Sequence, residues 1–320
     1  MRWRAIRASV ESATFHRLNK FDWIGEAHNE GIDRLRRELR AEVGVGSLCT
    51  AIERAAIAEA TVRSDARRIQ LDPRRLRIAV NATLTKRGCT TATEIDPTAW
   101  RYNSLGVSTA QESPSQHALA LLASIEGAVL NASSPGHLST ALIPVLDSAT
   151  ILGGVDEELV HASASIAVAS YEYWEAEWEA AGADVDAEYG ACILANEATM
   201  VDPITYCLTG QVIVPTGGHR NRRHDATEYA LGGLTVTHIL HRSKLASSRL
   251  ANSSDPCLIP GATVRSWVKT DFIGAVGGFF GGLWAGPGAL SVGLATGISS
   301  SAAHFAWDYA VATYECNRPK

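Results

Sequence analysis

The C-terminal part of the chain contains 32 consecutive residues, 272–303, without a charged side chain. Small residues within this run recur at every fourth position. One row consists of Gly274, Gly278, Gly282 and Gly286. A second row consists of Gly277, Gly281, Ala285, Ala289, Gly293 and Gly297. Residues four apart share one face of a helix, so each row forms a smooth groove that allows another backbone to approach closely. We therefore predict a tightly packed helical segment.

This pattern is unfavourable for an isolated helix in water, because each interior glycine costs about 1 kcal/mol relative to alanine. The six glycines from Gly274 to Gly286 would together cost several kcal/mol. A helix therefore forms here only if lipid or a partner surface enforces it. The rows indicate close helix packing, either in a bilayer or in a tight helix bundle.

Pro287 should divide the run into two arms, because proline interrupts a helix. The first arm would be roughly 22 Å long, which is shorter than the roughly 30 Å hydrocarbon core of a bilayer. Serine and threonine reduce the hydrophobicity of the second arm, 289–307. We expect a helical hairpin that inserts conditionally, inserts after oligomerising, or stays packed inside the protein.

The first 200 residues carry the signals of successive helices. Asp22 is expected to cap a helix ending near Glu42, and Asp156 another ending near Ala181. Capping residues precede prolines at Asp72-Pro73, Asp96-Pro97, Ser113-Pro114 and Ser134-Pro135. The helix that begins at Ser134-Pro135 is expected to end at Gly153-Gly154. The predicted fold is mostly α: a helical bundle body (1–200), an irregular linker (201–265) with a short strand at 211–214, and a C-terminal glycine-zipper helical hairpin (266–320).

Charge is unevenly distributed along the chain. The net charge is +7 over residues 1–87, −15 over 88–200 and +3 over 201–320. We expect the basic N-terminal helices to lie against the acidic middle helices. Nucleic-acid binding is not predicted, because no aromatic residue for base stacking lies between Arg34 and Arg87.

The six cysteines are scattered, and the closest two are fifteen residues apart. They are typical of reduced thiols in an intracellular protein. The N-terminus lacks the apolar run of a secretory signal peptide. The expected location is therefore membrane-associated or cytoplasmic.

Three short blocks carry a resemblance to known proteins. The segment Asp271-Phe-Ile-Gly-Ala-Val-Gly-Gly278 resembles the glycine-zipper tails of bacteriocin-like and other small bacterial membrane-active proteins. The block 21–33 and the patch Ser170-Tyr-Glu-Tyr-Trp174 are similar to uncharacterised bacterial proteins that end in such a tail. The resemblance implies a bacterial origin and a shared architecture. It implies no activity.

Glu26, His28 and Asn29 form the first candidate polar site. His28 shares a helix face with apolar residues, and a nearby carboxylate could orient it as a base or ligand. The simpler interpretation is a hydrogen-bonded histidine at a helix–helix contact.

Residues 219–241 form a second candidate region. It contains His219, His224, His238 and His241. His238 and His241 could face one metal with His224 or Asp225 as a third ligand, but Arg220, Arg222 and Arg223 would repel a cation. The run 219–224 could contact phosphate or anionic lipid head groups, although a solvated loop is the simpler interpretation. No metal or cofactor is therefore predicted. The sequence contains no GxSxG, P-loop or Rossmann motif, so a non-enzymatic role is favoured.

These patterns predict a membrane-associated protein whose glycine-zipper tail inserts or self-associates in a bilayer, as a pore-forming or bacteriocin-like element. The alternative is a soluble helical interaction module that uses the zipper as an internal core hairpin. A third hypothesis is an enzyme that uses His28 or the later histidines.

Overall fold

The computed structural model describes residues 2–7, 10–41, 48–66, 68, 72–86, 114–184, 190–196, 206–207, 264–283 and 290–302. Every regular element among them is an α-helix, which confirms the mostly α prediction for this part of the chain. The helices are α1 (Trp3–Arg7), α2 (Val10–Leu18), α3 (Asp22–Ala41), α4 (Leu48–Ala66), α5 (Pro73–Lys86), α6 (Gln116–Asn131), α7 (Pro135–Leu152), α8 (Gly154–Asp184), α9 (Gly190–Asn196), α10 (Val264–Leu283) and α11 (290–302).

Helix α8 is the centre of the fold. All its residues from Leu159 to Trp174 are buried, and α1, α3, α6, α7 and α10 pack around it. Its run of alanine and serine lets α3 approach unusually closely. A Cβ added to Gly25 of α3 would stand 2.5 Å from the carbonyl oxygen of Ser165. The two helices are therefore in backbone contact at a position that only glycine allows.

Several predicted helix ends agree with the structure. Ser134 caps α7, Pro135 occupies its first turn, and Gly153 ends it with a φ of 68°. The start of α6 differs from the prediction, because Ser115, rather than Ser113, caps it. Asp156 also differs: α8 already begins at Gly154, and the Asp156 carboxylate accepts a bond from the Ser115 amide at 3.2 Å.

Helices α10 and α11 pack against each other in opposite directions. A Cβ on Gly274 would stand 2.3 Å from the Ser300 Cβ, and one on Gly278 would stand 3.0 Å from the Gly293 Cα. Helix α10 also packs on α5, α6 and α8. Helix α11 is buried at every residue from Ser291 to Ala302. The part of the second arm that forms α11 is therefore enclosed by the helical body, whereas α10 is exposed at Ile273 and Gly277.

Charge pairing is more local than the sequence suggested. Lys20 Nζ contacts Glu157 Oε1 at 2.6 Å, which joins the basic N-terminal region to the acidic middle region. Several of the N-terminal arginines that the structure describes instead contact acidic residues of their own region, as Arg4 does with Glu30. Arg63 likewise contacts both Glu30 and Glu59. The predicted docking of the basic N-terminal helices on the acidic middle helices thus accounts for only some of the contacts between opposite charges.

Cys192 and Cys207 form a disulfide, with their Cα atoms 5.9 Å apart. This contradicts the expectation that these two cysteines are reduced thiols. They are the closest pair in the sequence, but a spacing of fifteen residues does not reveal how the chain between them folds back.

The predicted linker, 201–265, and its strand lie outside the described residues, apart from 206–207 and from 264–265, which already belong to α10 and not to a linker. The division into three domains remains a prediction.

Candidate functional site

A cluster of buried polar side chains lies where α3, α8 and α10 meet. It consists of His28 and Asn29, Ser170 and Trp174, and Asp271, all fully buried. Asp271 is the centre of this cluster. Its Oδ2 accepts hydrogen bonds from Ser170 Oγ at 2.5 Å and from Trp174 Nε1 at 2.9 Å. These bonds compensate for removing the carboxylate from water.

His28 faces the same carboxylate without bonding to it. His28 Nε2 lies 3.8 Å from Asp271 Oδ2, whereas His28 Nδ1 lies 3.2 Å from Asn29 Oδ1. Asn29 Nδ2 donates to the Ala169 carbonyl at 2.8 Å, so Asn29 Oδ1 is left to accept the proton of Nδ1. This assigns the neutral tautomer in which Nε2 carries only a lone pair.

Two atoms of the cluster lack a hydrogen-bond partner in the described part of the chain: His28 Nε2 and Asp271 Oδ1. Burial lowers the pKa of His28 below its usual value of 6.5, although the Asp271 charge and the Asn29 bond act in the opposite direction. Neutral His28 is therefore the stable form in the folded protein.

The cluster also touches the contact between α10 and α11. A Cβ on Gly297 of α11 would stand 3.3 Å from the Ala275 Cβ and 3.5 Å from His28 Cδ2. One turn further along α3, a Cβ on Gly31 would stand 2.3 Å from Ile298 Cδ1. The polar cluster is therefore continuous with the contact between α10 and α11.

The residues of this cluster come from the three blocks that carry the resemblance described above. The sequence identified His28 and Asn29 but suggested Glu26 as the neighbouring carboxylate. Glu26 instead faces Arg4 at 3.7 Å, and the carboxylate beside His28 is Asp271. Glu26 lies on another side of α3, and only the folded chain brings Asp271 to this position. Shared membership of the three blocks was the one sequence signal that could have linked these residues.

The glycine rows have different surroundings. Gly274, Gly278, Gly293 and Gly297 all lie at the contact between α10 and α11. Gly277 differs from the packing role predicted for it, because it is exposed and no atom of the described residues lies within 4 Å of where its Cβ would stand. Neighbouring residues of a helix point about 100° apart, so Gly277 and Gly278 face different surroundings. Gly281 and Gly282 belong to α10 but their surroundings are not described, and Gly286 lies outside the described residues.

A second polar cluster lies near the N-terminal end of α3 and involves α1, α2 and α8. His16 Nδ1 is 2.6 Å from Asp22 Oδ1, and its Nε2 is 2.8 Å from Glu172 Oε1. Arg7 bonds to the other oxygen of Asp22. Burial alone would lower the pKa of His16, but the bonds to the two carboxylates and their negative charges raise it to about 9. His16 is therefore charged at neutral pH. We call His16 with its two carboxylate partners, Asp22 and Glu172, the charged clamp.

This clamp predicts a stability change at alkaline pH. The His16 pKa rises from 6.5 unfolded to about 9 folded, so its contribution is complete below 6.5 and is lost as the pH rises through 9. We expect the melting temperature to fall between pH 7 and 10 by more in the wild type than in His16→Gln. Parallel melting curves in thermal denaturation would show that His16 does not act as a charged clamp.

The first cluster does not form a hydrolytic triad, because Ser170 donates to Asp271 rather than to His28. In the described ranges, no group of three or more His, Cys, Asp or Glu side chains is arranged to hold a metal. The later histidines, Asp225 and the arginines Arg220, Arg222 and Arg223 lie outside these ranges. What the cluster can do is fix the position of α10 and α11 against α3 and α8.

Comparisons with known proteins add no further information: the chain matches no protein-family model, no curated protein sequence and no solved structure. Among the helices that the structure describes, none combines the length and the hydropathy needed to cross a bilayer.

Proposed function

We propose that the protein is membrane-associated and that α10 and α11 form a glycine-zipper hairpin, stored inside the helical body until contact with lipid releases it. The observation that carries this proposal is the enclosure of α11. It is a helix without a charged residue, and it is buried at every residue from Ser291 to Ala302. Such a helix needs either protein or lipid around it.

The contacts that hold α11 in place support a releasable arrangement. Ser64 Oγ of α4 and Ser291 Oγ lie 2.5 Å apart, and Ile298 packs against Gly31. Residues 290–302 include no ionisable side chain, so α11 can leave without breaking an ion pair of its own. Removing a buried partner from an ion pair would cost about 3–5 kcal/mol, a penalty that α11 does not incur. Release of α10 would break the bonds of Asp271 to Ser170 and Trp174 and the contact of Lys269 with Glu126, and the contact with lipid has to compensate for these losses.

The distribution of charge along α10 indicates how the hairpin would enter a bilayer. Arg265, Lys269 and Asp271 lie in its first half, and residues 272–283 are uncharged. This uncharged part is about 18 Å long, so it would reach roughly halfway through a hydrocarbon core of about 30 Å. We propose shallow hairpin insertion, followed by self-association through the glycine rows. Lipid and further copies of the chain are the proposed partners.

A second candidate function is a soluble interaction module in which the hairpin is a permanent part of the core. The same burial of α11 supports it. The two candidates differ in whether α11 ever leaves α4.

A disulfide lock distinguishes them. Ser64 and Ser291 already place their Oγ atoms 2.5 Å apart, so the double variant S64C/S291C should cross-link across the α4–α11 contact. We expect wild-type protein to bind anionic vesicles and release an enclosed dye. The oxidised double variant should do neither, and dithiothreitol should restore both activities.

The single variants S64C and S291C are the matched controls, because they experience the same reductant without the lock. They also report any effect of reducing Cys192–Cys207. Equal dye release by the locked and unlocked forms would contradict release of α11. A wild-type protein that neither binds vesicles nor releases dye would support the soluble module.

A further inference from the structure

His28 occupies the contact between the helical body and the two zipper helices. Of the elements around it, α10 contributes the carboxylate of Asp271, and α8 contributes the uncharged donors Ser170 and Trp174. Helix α11 contributes Gly297 and carries no charged residue. On α3 itself, Asn29 contacts the ring. Asp271 is thus the one charged group that acts on His28 in the described part of the chain.

A proton added to Nε2 would create a cation in a fully buried position. The nearest acceptor is Asp271 Oδ2, which is 3.8 Å away and already accepts two hydrogen bonds. A new charge-assisted bond would require a distance below about 3 Å, so His28 or Asp271 would have to move. Because Gly297 packs against the imidazole edge, this movement would disturb the α3–α11 contact.

We propose that His28 is an acid-sensitive latch: protonation of its Nε2 opens the contact that holds α10 and α11 against α3. This inference rests on the proposed function for its purpose, but the opening itself requires no lipid. An acidic compartment or an acidic membrane surface would then promote release of the hairpin.

The direction of the effect follows from proton linkage. Burial lowers the pKa of His28 in the closed form below 6.5, so the open form binds the proton first as the pH falls. Closure is therefore fully stable above pH 6.5 and weakens below it. At pH 6.5 opening takes up about half a proton, and well below pH 6.5 it takes up one, which corresponds to about tenfold more opening for each pH unit until the closed form also becomes protonated.

The second cluster should remain closed over the same range. The pKa of His16 is about 9, so His16 stays charged between pH 5 and 7.5 and keeps its bonds to Asp22 and Glu172. His161 of α8 is a second buried histidine, and burial also lowers its pKa. Among the described residues, its hydrogen bonds are to Leu146, Thr150 and Asn19 and not to α10 or α11, which makes His161→Gln the matched control.

Hydrogen exchange of the amides in residues 290–302 measures opening directly, without lipid and with the full chain. After correction for intrinsic exchange rates, we expect about fivefold more opening at pH 5.5 than at pH 6.5 in the wild type and in His161→Gln, because the open form is already half protonated at pH 6.5. His28→Gln, which cannot be protonated, should show no such change. If His28→Gln does not fold, the His28 ring is titrated in the wild type by NMR, and a midpoint below 6.5 is expected.

Opening that does not increase with acidity, an increase that persists in His28→Gln, or a His28 midpoint at or above 6.5 would overturn the latch. Dye release from anionic vesicles at the same pH values separates the two proposals. Acid-dependent exchange without dye release would support the latch and contradict membrane insertion. Dye release that is independent of pH would contradict the latch alone.

Discussion

Replacing Gly278 by alanine is expected to lower the free energy of unfolding by about 3 kcal/mol. The added Cβ would stand 1.6 Å from Thr296 Oγ1, 2.7 Å from its Cβ and 3.0 Å from the Gly293 Cα. Rotating the threonine side chain relieves the first overlap but not the contact with the Gly293 backbone. Helices α10 and α11 must therefore move apart. Urea denaturation followed by circular dichroism measures the loss.

Gly277→Ala is the matched control for this variant, because it makes the same chemical change at the adjacent position of the same helix. In the part of the chain that the structure describes, no atom lies within 4 Å of the Gly277 Cβ position, and alanine favours the helix by up to about 1 kcal/mol. We expect Gly277→Ala to be as stable as the wild type or more stable. Similar effects of the two substitutions would contradict the close contact of α10 and α11.

Asp271→Ala is expected to destabilise the protein by about 3–5 kcal/mol, which is the range for removing one member of a buried charged arrangement. The substitution leaves Ser170 Oγ and Trp174 Nε1 without the acceptor that they share in a fully buried position. Asp271→Asn retains one acceptor oxygen, so its free energy of unfolding should fall by less than that of Asp271→Ala. Chemical denaturation of both variants, with intrinsic tryptophan fluorescence as the signal, measures the difference.

Asp65→Ala is the control for the loss of a carboxylate, because Asp65 is an exposed residue near the end of α4. A change within about 0.5 kcal/mol is expected there. If Asp271→Ala cost no more than Asp65→Ala, Asp271 could not be the centre of the polar cluster.

The parts of the fold that depend on local chemistry were predictable from the sequence. The cap of α7 by Ser134 and its end at Gly153 depend on residues within a few positions of each other. The spacing of Gly274 and Gly278 likewise predicted close packing. It did not show which row faces a neighbour, because that depends on how α10 is rotated against α8 and α11. Gly277 faces away for this reason.

The candidate site was predictable only in part. His28 and Asn29 attracted attention because they are polar residues on an apolar helix face. Asp271 lies near the other end of the chain, and nothing local marks it as the partner of His28. Glu26 was closer in sequence, yet it faces Arg4. The Cys192–Cys207 disulfide escaped prediction for the same reason, since it depends on how the chain returns on itself.

The storage and release of the zipper can be followed by the distance between α4 and α10. Val62 is 50% exposed and Ile273 is 45% exposed, so both positions accept spin labels, carried on a non-cysteine amino acid, without disturbing the core. Pulsed electron paramagnetic resonance then measures the label distance in water and after addition of anionic vesicles. Release of the hairpin predicts one narrow distance distribution in water and a longer, broader distribution with vesicles. An unchanged distance on protein that has bound the vesicles would contradict it.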